Sequence, residues 1–253
     1  VTEPIFDMGD HCKGCQYIEK CKSNSFLGKI EIPISILPKY GSKLQKQWFD
    51  NKIYDLRDLP YESVESIKDK RWNFVEIIRS HKENIEWINP NFFEIIKKYS
   101  WPRYFFDIES ITQAVPIILD TKPNDPFPFQ YSVHKWEFED QEITLGDSKQ
   151  FLEFNSENMD RKYLEKLIID LGTDGPIFAH TSSVETNALS FLVKRKNCID
   201  LIDKIENIQS RIIDTAVLFR ENFYNVAMMG SYSLKDIIKI LPNASSYSSE
   251  NDQ

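Results

Sequence analysis

Apolar residues three and four positions apart dominate the stretch from Ser42 to about residue 100. SKLQKQWFD, YESVESIKDKRWNFVEIIRSHKENI and NPNFFEIIKKY all carry that spacing. On a helical repeat it gathers the apolar side chains on one face, so the pattern predicts amphipathic helices. Asn89-Pro90 reads as a turn and helix start, with proline tolerated in the first turn. From Arg103 the period shortens. RYFFDIES is an apolar run broken by two acids, FPFQYSVHKWEF alternates loosely, and QEITLGDSK follows a turn near Glu139-Asp140, so three strands are predicted in succession. MDRKYLEKLIIDLG predicts a helix closed by Gly172. GPIFAHT predicts a strand, and SVETNALSFLVKRK a helix opened by Ser182 or Ser183 as its cap. RIIDTAVLF reads as helical, and SYSLKDIIKIL as the last helix before Pro242. Ahead of these, IEIPISILP fits a short edge strand or an irregular connection, and the tail NASSYSSENDQ is polar enough to fray.

This order of elements predicts an α/β fold, a mixed sheet flanked by helices, preceded by a mostly helical accessory region. Three segments are expected: 1–40 with a cysteine cluster, 41–100 helical, and 101–253 carrying the sheet.

Composition narrows the function classes. At 41% hydrophobic and 28% charged, the 253 residues fit an ordinary globular protein. No apolar run approaches the roughly 20 residues needed to span a bilayer, and Val1 to Asp10 lacks the basic and apolar regions of a signal peptide. A cytoplasmic protein without membrane contacts is therefore expected. Because the chain begins with Val rather than Met, it is expected to be part of a longer protein with further domains. The net charge of −8 argues against a broad basic face for duplex DNA. It leaves a metal-dependent enzyme open, because carboxylates that bind cations add negative charge.

Candidate chemistry begins at Asp107 and Glu109, two apart in a strand-like run. Residues i and i+2 of a strand share a face, and two carboxylates there repel each other and lose hydration. A cation between them removes both penalties. The plainer reading is that they mark the strand's exit into solvent. The other acids add weight through their order: Glu185 stands in the first turn of the helix after GPIFAHT, Asp214 follows in RIIDT, and Asp252 lies beyond the last predicted helix. Asp214 is expected to hydrogen-bond near a helix start. A second cluster, Cys12, Cys15 and Cys21, has the close spacing of soft-metal ligands in a reducing compartment rather than of a disulfide framework. Cys198, in an apolar helical context, reads as a core thiol.

The ordered acids resemble the DEDD family of 3′–5′ exonucleases, which have a ribonuclease-H-like fold. In that family D-x-E on the first strand, an acid at the start of the helix after the fourth strand, and a last Asp meet around two Mg²⁺ or Mn²⁺ ions. Over nearly the whole chain, the pieces HCKGCQYIEKC, FFDIES, QAVPI, PFQYSVH, IIDTAVLFR and AMMGSYSLKDII also resemble a bacterial family called domain of unknown function 2779. The resemblance implies metal ligands at Asp107, Glu109, Glu185 and Asp252, with His180 or Tyr247 orienting water, and a nucleic-acid substrate, DNA or RNA, expected to be single-stranded. One departure stands out. The second motif of that family runs Tyr-Asn-x-x-Phe-Glu, and here it is His180-Thr181-Ser182-Ser183-Val184-Glu185, with only the acid kept. The alternative is a catalytically degenerate module that binds nucleic acid or protein. The cysteine pattern resembles the iron–sulfur clasp of RecB-type and CRISPR-associated nucleases, which implies a 4Fe-4S cluster, or Zn²⁺ completed by His11 or Cys198.

Overall fold

The structure, a computed structural model, describes residues 15–17, 20, 29–38, 41–65, 67, 72–141, 148–154 and 158–241. Along them run α1 (Ser42–Asp50), α2 (Glu62–Glu65), α3 (Phe74–Glu83), β1 (Trp87–Ile88), α4 (Phe92–Lys97), β2 (Arg103–Thr112), β3 (Pro126–Trp136) and β4 (Lys149–Leu152). Then follow α5 (Met159–Leu171), β5 (Ile177–Ala179), α6 (Ser183–Val193), α7 (Ile202–Ser210), β6 (Ile212–Asp214), α8 (Thr215–Asn222), β7 (Phe223–Tyr224) and α9 (Leu234–Ile240). Packing groups residues 91–216 into one compact unit, and residues 1–90 with 217–253 into another.

The 91–216 unit is a mixed five-stranded sheet with helices. Its strand order is β4-β3-β2-β5-β6. The β2–β3 and β3–β4 pairs are antiparallel, and the β2–β5 and β5–β6 pairs parallel. Strand β2 holds the centre because its alternation suits two different faces. Tyr104, Phe106 and Ile108 point one way and are buried in the core that α5, α6 and α7 complete. Arg103, Phe105, Asp107 and Glu109 point the other way, beside Trp136, His134, Ser132 and Gln130 of β3. On this second face the amino end of β2 is aromatic: Phe105 stacks on Phe178 at 5.3 Å and meets Trp136 at 5.4 Å. The carboxyl end carries the two acids, both exposed.

The link from α5 to β5 is held by one side chain. The Arg211 guanidinium donates to the carbonyls of Gly172 at 2.7 Å, Asp174 at 2.7 Å and Gly175 at 2.9 Å, which satisfies acceptors at the end of α5 and the turn beyond it. Gly175 is required there. Its φ is +84°, and a Cβ would lie 2.0 Å from the Pro102 carbonyl oxygen.

The other unit is built on α1, α2, α3, α9 and the antiparallel β1–β7 pair, around Ile34, Leu37, Leu56, Leu59, Ile77 and Ile78. Buried within it, Tyr224 Oη accepts from Gly230 N at 3.1 Å and lies 2.7 Å from His81 Nε2. The two rings are hydrogen-bonded to each other, and burial pulls the His81 pKa down, which favours a neutral ring. The run Ser231–Asp236 is an elaborate helix cap. Ser233 Oγ accepts from Asp236 N at 3.2 Å, while the Asp236 carboxylate accepts from the hydroxyls of Ser231 at 2.6 Å and Ser233 at 2.7 Å. These hydroxyl donors and Lys239 hold the Asp236 carboxyl down at about 2.

Several expected elements change in detail. RIIDTAVLF is not one helix: Ile212–Asp214 is a strand, and the helix starts at Thr215. The β-branched Ile212 and Ile213 pair in parallel with Ile177 and Phe178, and this long-range pairing overrides local helical character. The expected third strand, QEITLGDSK, falls mostly on residues 142–147, which lie outside the described residues; the described strand β4 runs Lys149–Leu152. IEIPISILP forms a 3₁₀ turn at Ile34–Ile36 beside an isolated bridge between Pro33 and Asp55. No helix is long and apolar enough to cross a membrane among the described residues.

Candidate functional site

Of the expected acids, Asp107 and Glu185 come within electrostatic reach of each other, from β2 and from the helix after β5. Asp107 and Glu109 leave β2 on one face, immediately before a register shift between Glu109 and Ser110. Such a shift bends the strand and re-aims the side chains that follow. Glu185 arrives from the first turn of α6, after the turn His180–Ser182 that leaves β5. That turn has Thr181 at φ +64°.

Asp214, at the end of β6, holds this turn in place. Its carboxylate accepts from Thr181 N at 3.3 Å, Ser182 N at 3.0 Å, Ser182 Oγ at 3.1 Å and Ala216 N at 2.9 Å. The expected role of Asp214 near a helix start is thus observed, and at two helices, because the same carboxylate serves the entries to α6 and α8. Ser182 is the N-cap residue of α6, as expected, but it has helical φ and ψ and its side chain makes no capping bond; Asp214 holds the amides of Thr181 and Ser182 just ahead of the helix. A carboxylate at these amino termini also meets the positive ends of both helix dipoles.

Glu185 is 2% exposed, and its Oε2 has no hydrogen-bond partner. Burial pushes its pKa up to about 7, and the negative charges of Asp107 and Asp214 raise it further, against one hydrogen bond from its own backbone N–H. Asp107 and Glu185 therefore share a neighbourhood. A residue the sequence did not single out lies there as well: the Tyr163 hydroxyl of α5 is buried without a partner, and its pKa is raised by burial and by the charges of Glu185 and Asp107. Tyr163 otherwise packs edge-on against Tyr131 at 5.1 Å and Phe151 at 5.3 Å. In the sequence it is indistinguishable from any other core aromatic on an amphipathic helix.

His180 is half-buried, and its Nδ1 lies 3.0 Å from the Thr215 hydroxyl, which fixes the ring by the entry to α8. Tyr247 and Asp252 lie outside the described residues, as do Cys12 and Cys21. Cys15 is exposed. Cys198 is fully buried in the sheet-side core, and burial pushes its thiol up to about 12, which makes it the core thiol the sequence suggested.

The donor chemistry at the sheet end is hard: carboxylate oxygens, one of them unpartnered in a buried position. That suits Mg²⁺ or Mn²⁺ rather than a soft metal. Among the described residues, no three His, Cys, Asp or Glu side chains form a group able to hold a metal ion. A closed coordination shell thus needs either movement of Glu109 and Asp107 or a ligand from outside the described residues.

A family model described as a domain of unknown function, DUF2779, matches residues 104–233, just over half the chain. Neither a curated protein nor a solved structure matches. The matched span takes in Asp107, Glu109, Tyr163, Glu185 and Asp214 together with the Gly230–Ser233 run, and the chain belongs to the DUF2779 family.

Proposed function

We propose that residues 101–253 form a ribonuclease-H-like nuclease domain that hydrolyses phosphodiester bonds of single-stranded DNA or RNA, as a 3′–5′ exonuclease dependent on two divalent ions. The observation that carries this reading is Glu185: a buried carboxylate with an unpartnered oxygen, pressed by the charge of Asp107 from the end of the central strand. Placement supports it too. Asp107 and Glu109 lie on the first strand of the sheet, and Glu185 opens the helix after its fourth strand. Those are the positions the exonuclease resemblance requires.

Asp107, Glu109 and Glu185 would hold Mg²⁺ or Mn²⁺, with Asp252 as the fourth ligand. Bound ions of this kind acidify water toward neutral pH and stabilise the leaving oxygen. The protein's own part is to bring the acids to one end of the sheet, through the Arg211 clamp and the Asp214 double cap. His180, its ring held by Thr215 through Nδ1, or Tyr247 would orient the water. Cys12, Cys15 and Cys21 would ligate a 4Fe-4S cluster or Zn²⁺, which elemental analysis and absorbance near 400 nm distinguish.

The test is cleavage of a 3′- or 5′-labelled single strand with Mn²⁺, against EDTA and against Asp107→Asn. Stepwise shortening from the 3′ end, lost in EDTA and in the variant, is expected. No cleavage together with no calorimetric Mn²⁺ binding overturns the reading. The altered second motif and the incomplete ligand group favour a second reading, a binding module without turnover. Strand binding unaffected by EDTA and by Asp107→Asn would support it.

A further inference from the structure

A cavity of about 1080 Å³ opens in the 91–216 unit. Phe127, Phe154 and Phe191 line it, with Lys194, Arg195 and Lys196 along one side and the amides of Asn158, Asn187 and Asn197 between them. It shares one element with the acids: Asn187 of α6 lies two residues past Glu185.

The chemistry of the walls is specific. Arg195 is tied down by Asp160 through Nε and by the Leu119 carbonyl through Nη2 at 2.8 Å, yet its Nη1 is buried with no acceptor. Burial shuts Nη1 off from a ligand in the cavity as it does from water, so contact with an anion falls to the lysines. Lys194 and Lys196 are exposed beside it. Of the two lining carboxylates, Asp160 is neutralised by Arg195 and held by Asn197 at 2.7 Å, so the cavity carries net positive charge in a chain of net −8. The aromatic rings supply flat apolar surface. Phe127 and Phe191 meet edge-on at 6.3 Å, and Phe154, 58% exposed, stacks on Phe129 at 4.5 Å. Flat rings beside two exposed ammonium groups, and amides that can both donate and accept, fit a heteroaromatic base joined to a phosphate.

We propose that this cavity binds one nucleotide, its base against the phenylalanine rings and its phosphate at Lys194 and Lys196. The proposal deepens the polynucleotide reading above by adding a subsite for a nucleotide away from the one being cleaved. It calls for no metal, so it is tested apart from catalysis.

The full chain, in EDTA, is titrated by calorimetry with AMP, adenosine and inorganic phosphate. AMP is expected to bind at least tenfold more tightly than either fragment. Phe154→Ala removes an exposed ring without opening the core, and should weaken AMP and adenosine alike by about fivefold or more, the scale of base stacking. The pair Lys194→Glu and Lys196→Glu should weaken AMP by a similar factor while leaving adenosine unchanged. AMP binding no tighter than phosphate, or both variants binding AMP like the parent, overturns the proposal. Mn²⁺-dependent cleavage is measured on the same preparations. Cleavage without AMP binding removes the subsite and leaves the nuclease, and AMP binding without cleavage does the reverse.

Discussion

Replacing Glu185 by Gln keeps the shape of a side chain that is 2% exposed and deletes its charge. In the metal-free protein the carboxyl has a pKa of about 7, against an ordinary value of 4.5. The folded state therefore holds this proton more tightly than the unfolded state does. Between those two pH values the native protein binds more protons than the unfolded chain, so its stability falls as pH rises and levels off above about 7. The size of the fall is the shift of about 2.5 units at 1.36 kcal/mol each, or about 3 kcal/mol. Glu185→Gln has no such slope. In EDTA, the stability difference between variant and parent should move by about 3 kcal/mol in favour of the variant from pH 4.5 to pH 8. The comparison across pH cancels the constant cost of placing an amide in that pocket. Urea unfolding of both proteins at the two pH values measures it. The fall should vanish when Mn²⁺ is added to the parent. An ion at a hundred times its Kd contributes about 2.7 kcal/mol, and the variant, lacking the ligand charge, should gain far less. Parallel pH profiles would mean that Glu185 ionises as freely folded as unfolded. Equal Mn²⁺ stabilisation of both proteins would mean that the ion binds elsewhere. Either result refutes the argument from burial.

Gly230→Ala should destabilise by about 2 kcal/mol or more, since the residue has φ +77° and the new Cβ would lie 1.9 Å from the Ile36 carbonyl oxygen. A thermal-melting midpoint within a degree of the parent would contradict this. Asp214→Ala leaves three backbone N–H groups at two helix entries without their carboxylate, and should cost about 3 kcal/mol. Asp214→Asn should recover part of the loss in a urea titration. With Cys12 and Cys21 changed to Ser, iodoacetamide at pH 8 should modify Cys15 within minutes and Cys198 only after urea is added, because Cys198 is buried and its thiol is raised to about 12. Mass spectrometry of the native protein showing two alkylations would refute that assignment.

What local pattern determines, the sequence carries openly. The alternation of β2, the amphipathic α5 ending at Gly172, and the helical run of α9 follow from periods and caps within a dozen residues. What failed depends on partners far along the chain. Strand β1 has two residues and exists because Phe223 and Tyr224 pair with it, more than 130 positions away. The turn into α6 is held by Asp214 on another strand, 32 positions beyond Ser182. The Tyr163 hydroxyl gains meaning only from the two acids folded around it.

Glu185 lies between these cases. By position it reads as an ordinary first-turn acid, facing solvent and favoured by the helix dipole. Yet it stands three, four and seven residues before Ala188, Leu189 and Leu192, all buried, so it heads the apolar stripe of α6. An acid in that place has three ways to exist: it takes a proton, it meets a cationic side chain, or it meets an ion from outside. The charges that act on Glu185 come from Asp107 and Asp214, and both are negative. Without an ion, then, the carboxyl can only resolve its burial by holding a proton up to neutral pH. With one, the repulsion that raises its pKa becomes the field that draws the cation in, and the same placement that costs the empty fold stability makes the acids bind together.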